Sequence, residues 1–352
     1  MKSPNFLEYI DKLAEEYQLT REQTIEAFEK SLISGCKKSC QVKSCKLIFN
    51  EKYEEYFLFK EYFVLEPQNE QNEFDAIETK KITCINLEKA KKLKKNAQIG
   101  DIIHVEIDPK EFSFYASKDF KNKFNEELIK FKRENIFHFF KNYEKKIING
   151  KVISIKEKFY TLELEKELQA ILLKKKALPE DNFSINERVQ VYVIEVQKTT
   201  KLPKLLLSRT HTHFVLEIFK EFIPEIQEGI VEIIEIARIP SIRVKIGLLS
   251  HNKDIEPIGS CIGKKNTRIQ NIIKILKSEK IDLFLWSDNP EELIKNALQP
   301  AKIKKIEIIN EKKKIASVFV EKEQISLAIG KLGSNVQLAS QVTKWNISIK
   351  NI

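Results

Sequence analysis

No run of about 18 uncharged apolar residues occurs anywhere in the 352-residue chain, which argues against a membrane-spanning helix. The start, MKSPNFLEYIDKL, also lacks a basic region followed by an apolar stretch, so a soluble, cytoplasmic protein is expected. Cysteine is sparse and odd in number: Cys36, Cys40 and Cys45 cluster, while Cys84 and Cys261 stand alone. That is not a secreted disulfide framework, and reduced thiols are expected. The cluster misses the two-residue gap of zinc knuckles and has no nearby His to complete four ligands, so no metal is expected. His104, His138, His211, His213 and His251 fall in no metal or nucleophile arrangement. Glu163 and Glu165 alternate with Leu162 and Leu164 as on a strand with one solvated face, not as a catalytic pair. No catalytic residue and no cofactor is expected; the chain does not read as an enzyme.

What is present is basic and modular. A 42% apolar content in 352 residues supports two to four domains with separate cores. The 61 basic against 51 acidic residues give a net charge of +10, which suits a polyanion such as nucleic acid.

Phe6, Ile10, Leu13 and Tyr17, then Ile25, Phe28 and Leu32, follow helical spacing, with Thr20 and Gln23 in capping-box positions and Gly35 placed to end the pair. Short strands are expected from there to about Phe120, with Ile103, Val105 and Ile107 alternating before Asp108 and Pro109. From Lys121 to about Lys146 the stripe Phe124, Leu128, Phe131, Phe139 and Tyr143 marks a long basic helix. Beyond Gly150, five short apolar runs ending at Leu205 to Ser208 read as a small β-barrel.

The rest repeats one unit of strand, strand, helix, loop, helix, strand, with key glycines at Gly263 and Gly330. The first unit has Val231, Ile233 and Ile236, a turn at Pro240 and Ser241, and alternation from Ile242 to Leu248. Helical Ile269, Ile272, Ile273 and Leu276 follow, then a strand at Ile281, Leu283 and Leu285. A KH domain clamps single-stranded nucleic acid with such a loop: glycines admit the nucleic-acid backbone, while amides and basic side chains meet phosphates. Gly330, Lys331, Leu332 and Gly333 fit it at all four positions, with Asn335 and Gln337 following in the next helix. An ordinary helical hairpin with Gly past its first helix would carry the same loop; the repeated frame favours the KH reading. In the first unit Gly263, Lys264, Lys265 and Asn266 correspond, followed by Arg268 and Gln270. Asn tolerates left-handed backbone better than other residues with a β-carbon, so the turn should survive Asn266.

A phosphate-binding loop of the Walker type is excluded, because only three residues separate Gly259 from Gly263 and neither Lys264 nor Lys331 is followed by Ser or Thr. The barrel reads as an OB-fold whose candidate base platform is Lys158, Phe159 and Tyr160; neighbours on a strand face opposite sides, so at least one of the two aromatics belongs to the core.

A barrel followed by two KH units resembles the bacterial NusA family of transcription termination/antitermination factors. The likeness rests on LSRTHTHFVLEIFKEFIPEIQEGIVEI, EPIGSCIGKKNTRIQNI, KIDLFLWSDNPEELIKNALQPAKI and SLAIGKLGSNVQLAS, and more loosely on IGDIIHVEIDPKEF near the N-terminus. It departs at Asn266, which replaces a loop Gly, and at Leu285, where many members have an acidic residue before Trp286. The resemblance implies a multidomain α+β protein: an RNA-polymerase-binding domain at 1–125, a linking basic helix at 126–146, an S1-type OB barrel at 147–210 and type II KH domains at 211–288 and 289–352. It implies RNA polymerase and nascent single-stranded RNA as partners, with other antitermination factors alongside, no membrane, and a monomer. The chain stops just after the second KH strand, so the acidic C-terminal repeats of some members, and regulation through them, are expected to be absent. Two other kinds of protein share parts of this pattern. An RNA-degrading phosphorylase needs large catalytic domains and places KH before the barrel; a ribosome-associated or translational KH protein would carry a similar loop.

Overall fold

In the computed structural model, which describes residues 6–50, 55–65, 82–107, 114–277 and 279–352, Thr20 and Gln23 cap the second helix as their spacing predicts. The Gln23 N–H donates to Thr20 Oγ1 and the Thr20 N–H donates to Gln23 Oε1, each at 3.2 Å. The helical pair is α1 (Phe6–Tyr17) and α2 (Arg21–Cys40). Gly35 does not end α2. It is buried within the helix, and left-handed Gln41 (φ 51°) terminates it, its N–H donating to Lys37 O. The helix keeps an interior glycine, which costs about 1 kcal/mol relative to alanine, because Ala27, Leu32 and Cys36 are buried along it.

The chain divides into two units, Met1–His138 and Phe139–Ile352. In the first, β2 (Glu55–Leu65) pairs antiparallel with β1 (Cys45–Asn50) and β4 (Ile102–Glu106) and parallel with β3 (Thr83–Asn86). Ile103 is buried, as the alternation required, whereas Asp108 and Pro109 lie outside the described residues. Between β3 and β4 lies α3 (Leu87–Leu93), capped by Asn86. Helix α4 runs Phe114–Lys141, starting before the expected Lys121 and stopping before Lys146. After Lys141 the backbone turns, with left-handed Lys145 (φ 62°) donating to Val193 O at 2.8 Å, so pairing with the next domain's strand ends the helix. Cys36 and Cys45 are bonded to each other, contrary to the expectation of reduced thiols, because the end of α2 and the start of β1 bring their Cα atoms to 6.8 Å. Cys40, Cys84 and Cys261 take no part in a disulfide.

The second unit begins with the expected barrel: β5 (Ile147–Ile155), β6 (Phe159–Glu163), β7 (Gln169–Leu173), β8 (Arg188–Gln197) and β9 (Lys204–Ser208), ordered β7-β6-β5-β8-β9. Val152, Leu162, Leu172 and Val191 fill its interior. The end strands meet where Lys176 O accepts from the Arg209 N–H at 2.7 Å, nearly closing the ring. Arg209 is itself buried against Asp181, and its Nη2 also donates to Ile275 O at 2.9 Å, which ties the barrel to the unit that follows.

Two α+β repeats complete the chain. The first is α5 (Thr212–Phe222), α6 (Pro224–Gln227), β10 (Val231–Ile239), β11 (Arg243–Ser250), α7 (Pro257–Ile262), α8 (Thr267–Leu276) and β12 (Lys280–Leu285). The second is α9 (Pro290–Ala297), β13 (Lys305–Asn310), β14 (Ile315–Val320), α10 (Ile325–Ile329), α11 (Ser334–Thr343) and β15 (Asn346–Asn351). In each, the middle strand pairs antiparallel with the first and parallel with the last, the topology of a type II KH domain.

Strand β11 is covered on both faces because its residues alternate. Val244, Ile246 and Leu248 join Phe214, Ile218, Ile272 and Leu276 in the first repeat's core. On the opposite face, Ala237 and Phe284 join Leu338, Val342 and Trp345 of the second repeat. Lys245 is buried there, its Nζ 3.0 Å from Asp282 Oδ2 and donating to Gln299 O at 3.1 Å. Burial pulls its pKa below the usual lysine range, against the pull of Asp282. The two repeats thus pack against each other through one cluster, to which the first contributes Ala237 and Phe284.

Candidate nucleic-acid interface

The two loops have the same backbone despite sharing only their first glycine and the lysine after it. Gly263 (φ 74°, ψ 170°) and Gly330 (φ 76°, ψ 171°) take a conformation open almost only to glycine. Lys265 (φ 52°) matches Leu332 (φ 54°), and Asn266 (φ 61°, ψ 19°) matches Gly333 (φ 75°, ψ 8°). The left-handed turn therefore survives Asn266. A Cβ at Gly333 would meet nothing within 4 Å, so that position needs a tolerant backbone, not an absent side chain.

The first glycines are constrained differently. A Cβ at Gly330 would lie 2.7 Å from Asn335 Cβ and 2.8 Å from its backbone N; one at Gly263 would meet Arg268 Cγ at 2.8 Å. Asn335 and Arg268 are equivalent supports, five residues on from their glycines. Asn335 is fully buried, its Nδ2 donating to Leu298 O (3.1 Å), Leu327 O (2.9 Å) and Ala328 O (3.2 Å). Arg268 Nη1 donates to Glu225 Oε2 at 2.7 Å and Ser260 O at 2.8 Å. Among the residues expected to touch RNA, Asn335 is buried and Arg268 is partly exposed, and both hold the loops in shape.

Lys264, Lys265, Asn266, Gln270, Lys331, Leu332 and Gln337 are at least partly exposed, with Leu332 at 90%. Each loop feeds a ten-residue helix, α8 or α11, whose N-terminus carries no side-chain cap. The Thr267 and Ser334 N–H groups donate to Lys264 O and Lys331 O, so what each helix end presents to an anion is the positive end of its dipole, with lysines alongside. Leu327 and Ile329 on α10 add exposed apolar surface beside Leu332. Neither is among the residues expected from the sequence; their one sign there is two aliphatic residues off the buried stripe of a five-residue helix.

On the barrel the platform splits. Tyr160 is only 5% exposed and its O–H donates to Asp181 O at 2.8 Å, so it is a core residue. Phe159 is half-buried on the opposite face of β6 beside exposed Lys158.

Family models match this chain as the NusA N-terminal domain over residues 5–134, the NusA-like first KH domain over 209–286 and the NusA-like second KH domain over 290–352. The chain is 34% identical over 348 residues to the transcription termination/antitermination protein NusA of Halalkalibacterium halodurans, spanning 98% of this chain and 88% of that one. It is 33% identical to NusA of Bacillus subtilis, covering 99% and 91%, and 39% identical to that of Thermus thermophilus, covering 71% and 64%. Twin KH loops on two repeats packed against each other behind an OB-like barrel, together with identity of this extent along nearly the whole of both chains, place the protein in the NusA family.

Proposed function

We propose that this chain is a transcription termination/antitermination factor whose N-terminal domain (1–125) docks on RNA polymerase while the barrel (147–210) and KH units (211–288 and 289–352), reached through the 126–146 helix, hold nascent single-stranded RNA. The observation that carries the reading is the pair of matching loops, each leading into a helix N-terminus without a side-chain cap and edged with lysine, on two repeats packed against each other. Lys264, Lys265 and Lys331 meet phosphates, the loop glycines admit the RNA backbone, and Leu327, Ile329 and Leu332 offer an apolar surface to bases. Asn266, Gln270 and Gln337 supply polar contacts, and Phe159 with Lys158 extends the path onto the barrel. Catalysis stays with the polymerase, whose pausing the factor changes by holding the transcript.

Purified chain added to a polymerase halted at a hairpin pause tests this. Co-purification with polymerase and a changed pause lifetime are expected; neither binding nor altered pausing would overturn the reading. The ribosome-associated alternative would show itself as co-sedimentation with ribosomes in place of polymerase.

A further inference from the structure

We infer that the open seam of the barrel is a docking groove for an extended, apolar and acidic segment of a protein partner, a role distinct from RNA and polymerase binding. Strands β7 and β9 are the ends of the five-stranded order. They are joined where Lys176 O accepts from the Arg209 N–H (2.7 Å) and the Thr210 N–H (3.3 Å); along Gln169–Leu173 and Lys204–Ser208 they form no ladder with each other among the described residues. A groove of about 820 Å³ runs along this seam.

Its chemistry selects the occupant. Ile171, Leu173, Ile194, Leu202 and Leu206 line it, and Ile171 (47%), Leu202 (46%) and Leu173 (39%) are exposed. Contiguous apolar exposure of this kind marks an interaction site. Unlike the KH loops, the groove has no α-helix N-terminus among its residues to hold a phosphate beside its aliphatic surface, and neither Phe159 nor any other aromatic base platform lines it. Aliphatic side chains between two strand edges suit an extended peptide, whose backbone can bond to an edge while alternate side chains enter the groove. Lys176, Lys201 and Lys204 edge it against a single acid, Glu167, so carboxylates on the partner complement the rim. The five residues of β7 span about 17 Å, which sets a core segment of about five to six extended residues.

The test uses the full chain and three fluorescein-labelled probes: a peptide alternating Val and Asp, one alternating Val and Lys, and oligouridylate RNA. The Val/Asp peptide should bind saturably, the Val/Lys peptide should not, and I171D and L202D should each weaken peptide binding by about tenfold or more while leaving RNA affinity unchanged. K201E/K204E should reverse the peptide preference. Absence of saturable Val/Asp binding overturns the inference. So does loss of RNA affinity in step with peptide affinity, which would assign the seam to RNA. Should I171D lower thermal stability, amide chemical-shift mapping on the unaltered chain decides instead. Shifts centred on Gln169–Leu173 and Lys204–Ser208 support the groove, and shifts centred elsewhere reject it.

Discussion

Replacing the loop glycines by alanine should destabilise the protein in the order Gly330, Gly263, Gly333, and the spread follows from two separable effects. At Gly330 the backbone (φ 76°, ψ 171°) lies where any side chain is strained by about 1–3 kcal/mol. The new methyl would also lie 2.8 Å from the backbone N of Asn335, at the start of α11, which cannot rotate aside; overpacking of this kind adds about 1–3 kcal/mol. Gly330→Ala should therefore cost about 2–6 kcal/mol. Gly263→Ala carries the same backbone strain, but its collision is with the flexible Arg268 side chain, which can yield, so the cost stays near the lower end. Gly333→Ala meets open space and bears only the left-handed penalty of about 1 kcal/mol, and Gly333→Asn, copying Asn266, less still. Urea unfolding read by tryptophan fluorescence is a local assay for this, because the only two tryptophans, Trp286 and Trp345, both pack in the second repeat's core. Equal midpoint shifts for Gly330→Ala and Gly333→Ala would refute the reasoning, since it assigns the collision with Asn335 to one of them alone.

Other outcomes follow from the same structure. Arg238→Met should destabilise by about 3–5 kcal/mol, because it leaves Glu279 buried without its bidentate partner (2.9 and 2.6 Å), whereas changing both residues to apolar ones of similar size should recover most of the loss in the same denaturation assay. Tyr160→Phe should cost about 1 kcal/mol of stability by removing the bond to Asp181 O and leave RNA binding alone, while Phe159→Ala should weaken binding of a labelled oligouridylate by about 1–3 kcal/mol; the reverse pattern would put Tyr160 on the interface. His211 is held below its ordinary pKa chiefly by burial, with His213, Lys176 and Arg238 adding positive charge. Below about pH 6.5 the unfolded chain then takes up a proton that the folded chain refuses, so stability falls as the pH drops from there toward the lowered folded value; His211→Asn should flatten that part of a urea-midpoint-against-pH curve, and an unchanged slope would contradict the assignment.

Much of the fold is legible in the residues because local rules and tertiary packing agree along most of the chain. The Thr20–Gln23 box, the five barrel strands and the two repeated frames each carry their own periodicity, and the structure keeps them. The failures have a common cause. Gly35 reads as a stop only to local propensity, whereas burial along α2 carries the helix on to Gln41. Asn335 looks like a loop ligand because it follows the loop, but its three carbonyl partners, on Leu298, Leu327 and Ala328, come from earlier segments and cannot be seen in one dimension. The buried pairs Arg209–Asp181 and Arg238–Glu279, and the bonded Cys36 and Cys45, likewise depend on separate segments meeting. Leu327 and Ile329 are not legible in this way, because an exposed apolar residue on a short helix has no periodic signature.

The central claim, that the twin loops hold RNA while a separate domain docks on polymerase, is tested most directly by K331D/G333D in the full chain, with RNA and polymerase binding measured side by side. Asp tolerates the left-handed backbone at 333, so the loop should persist while its charge reverses. Affinity for single-stranded RNA should fall by about tenfold or more, with the slope of log affinity against log salt shallower by about 0.7 for each phosphate the loop no longer neutralises, and polymerase binding should be unchanged. A variant that no longer binds polymerase yet keeps its RNA affinity and salt slope would contradict the account.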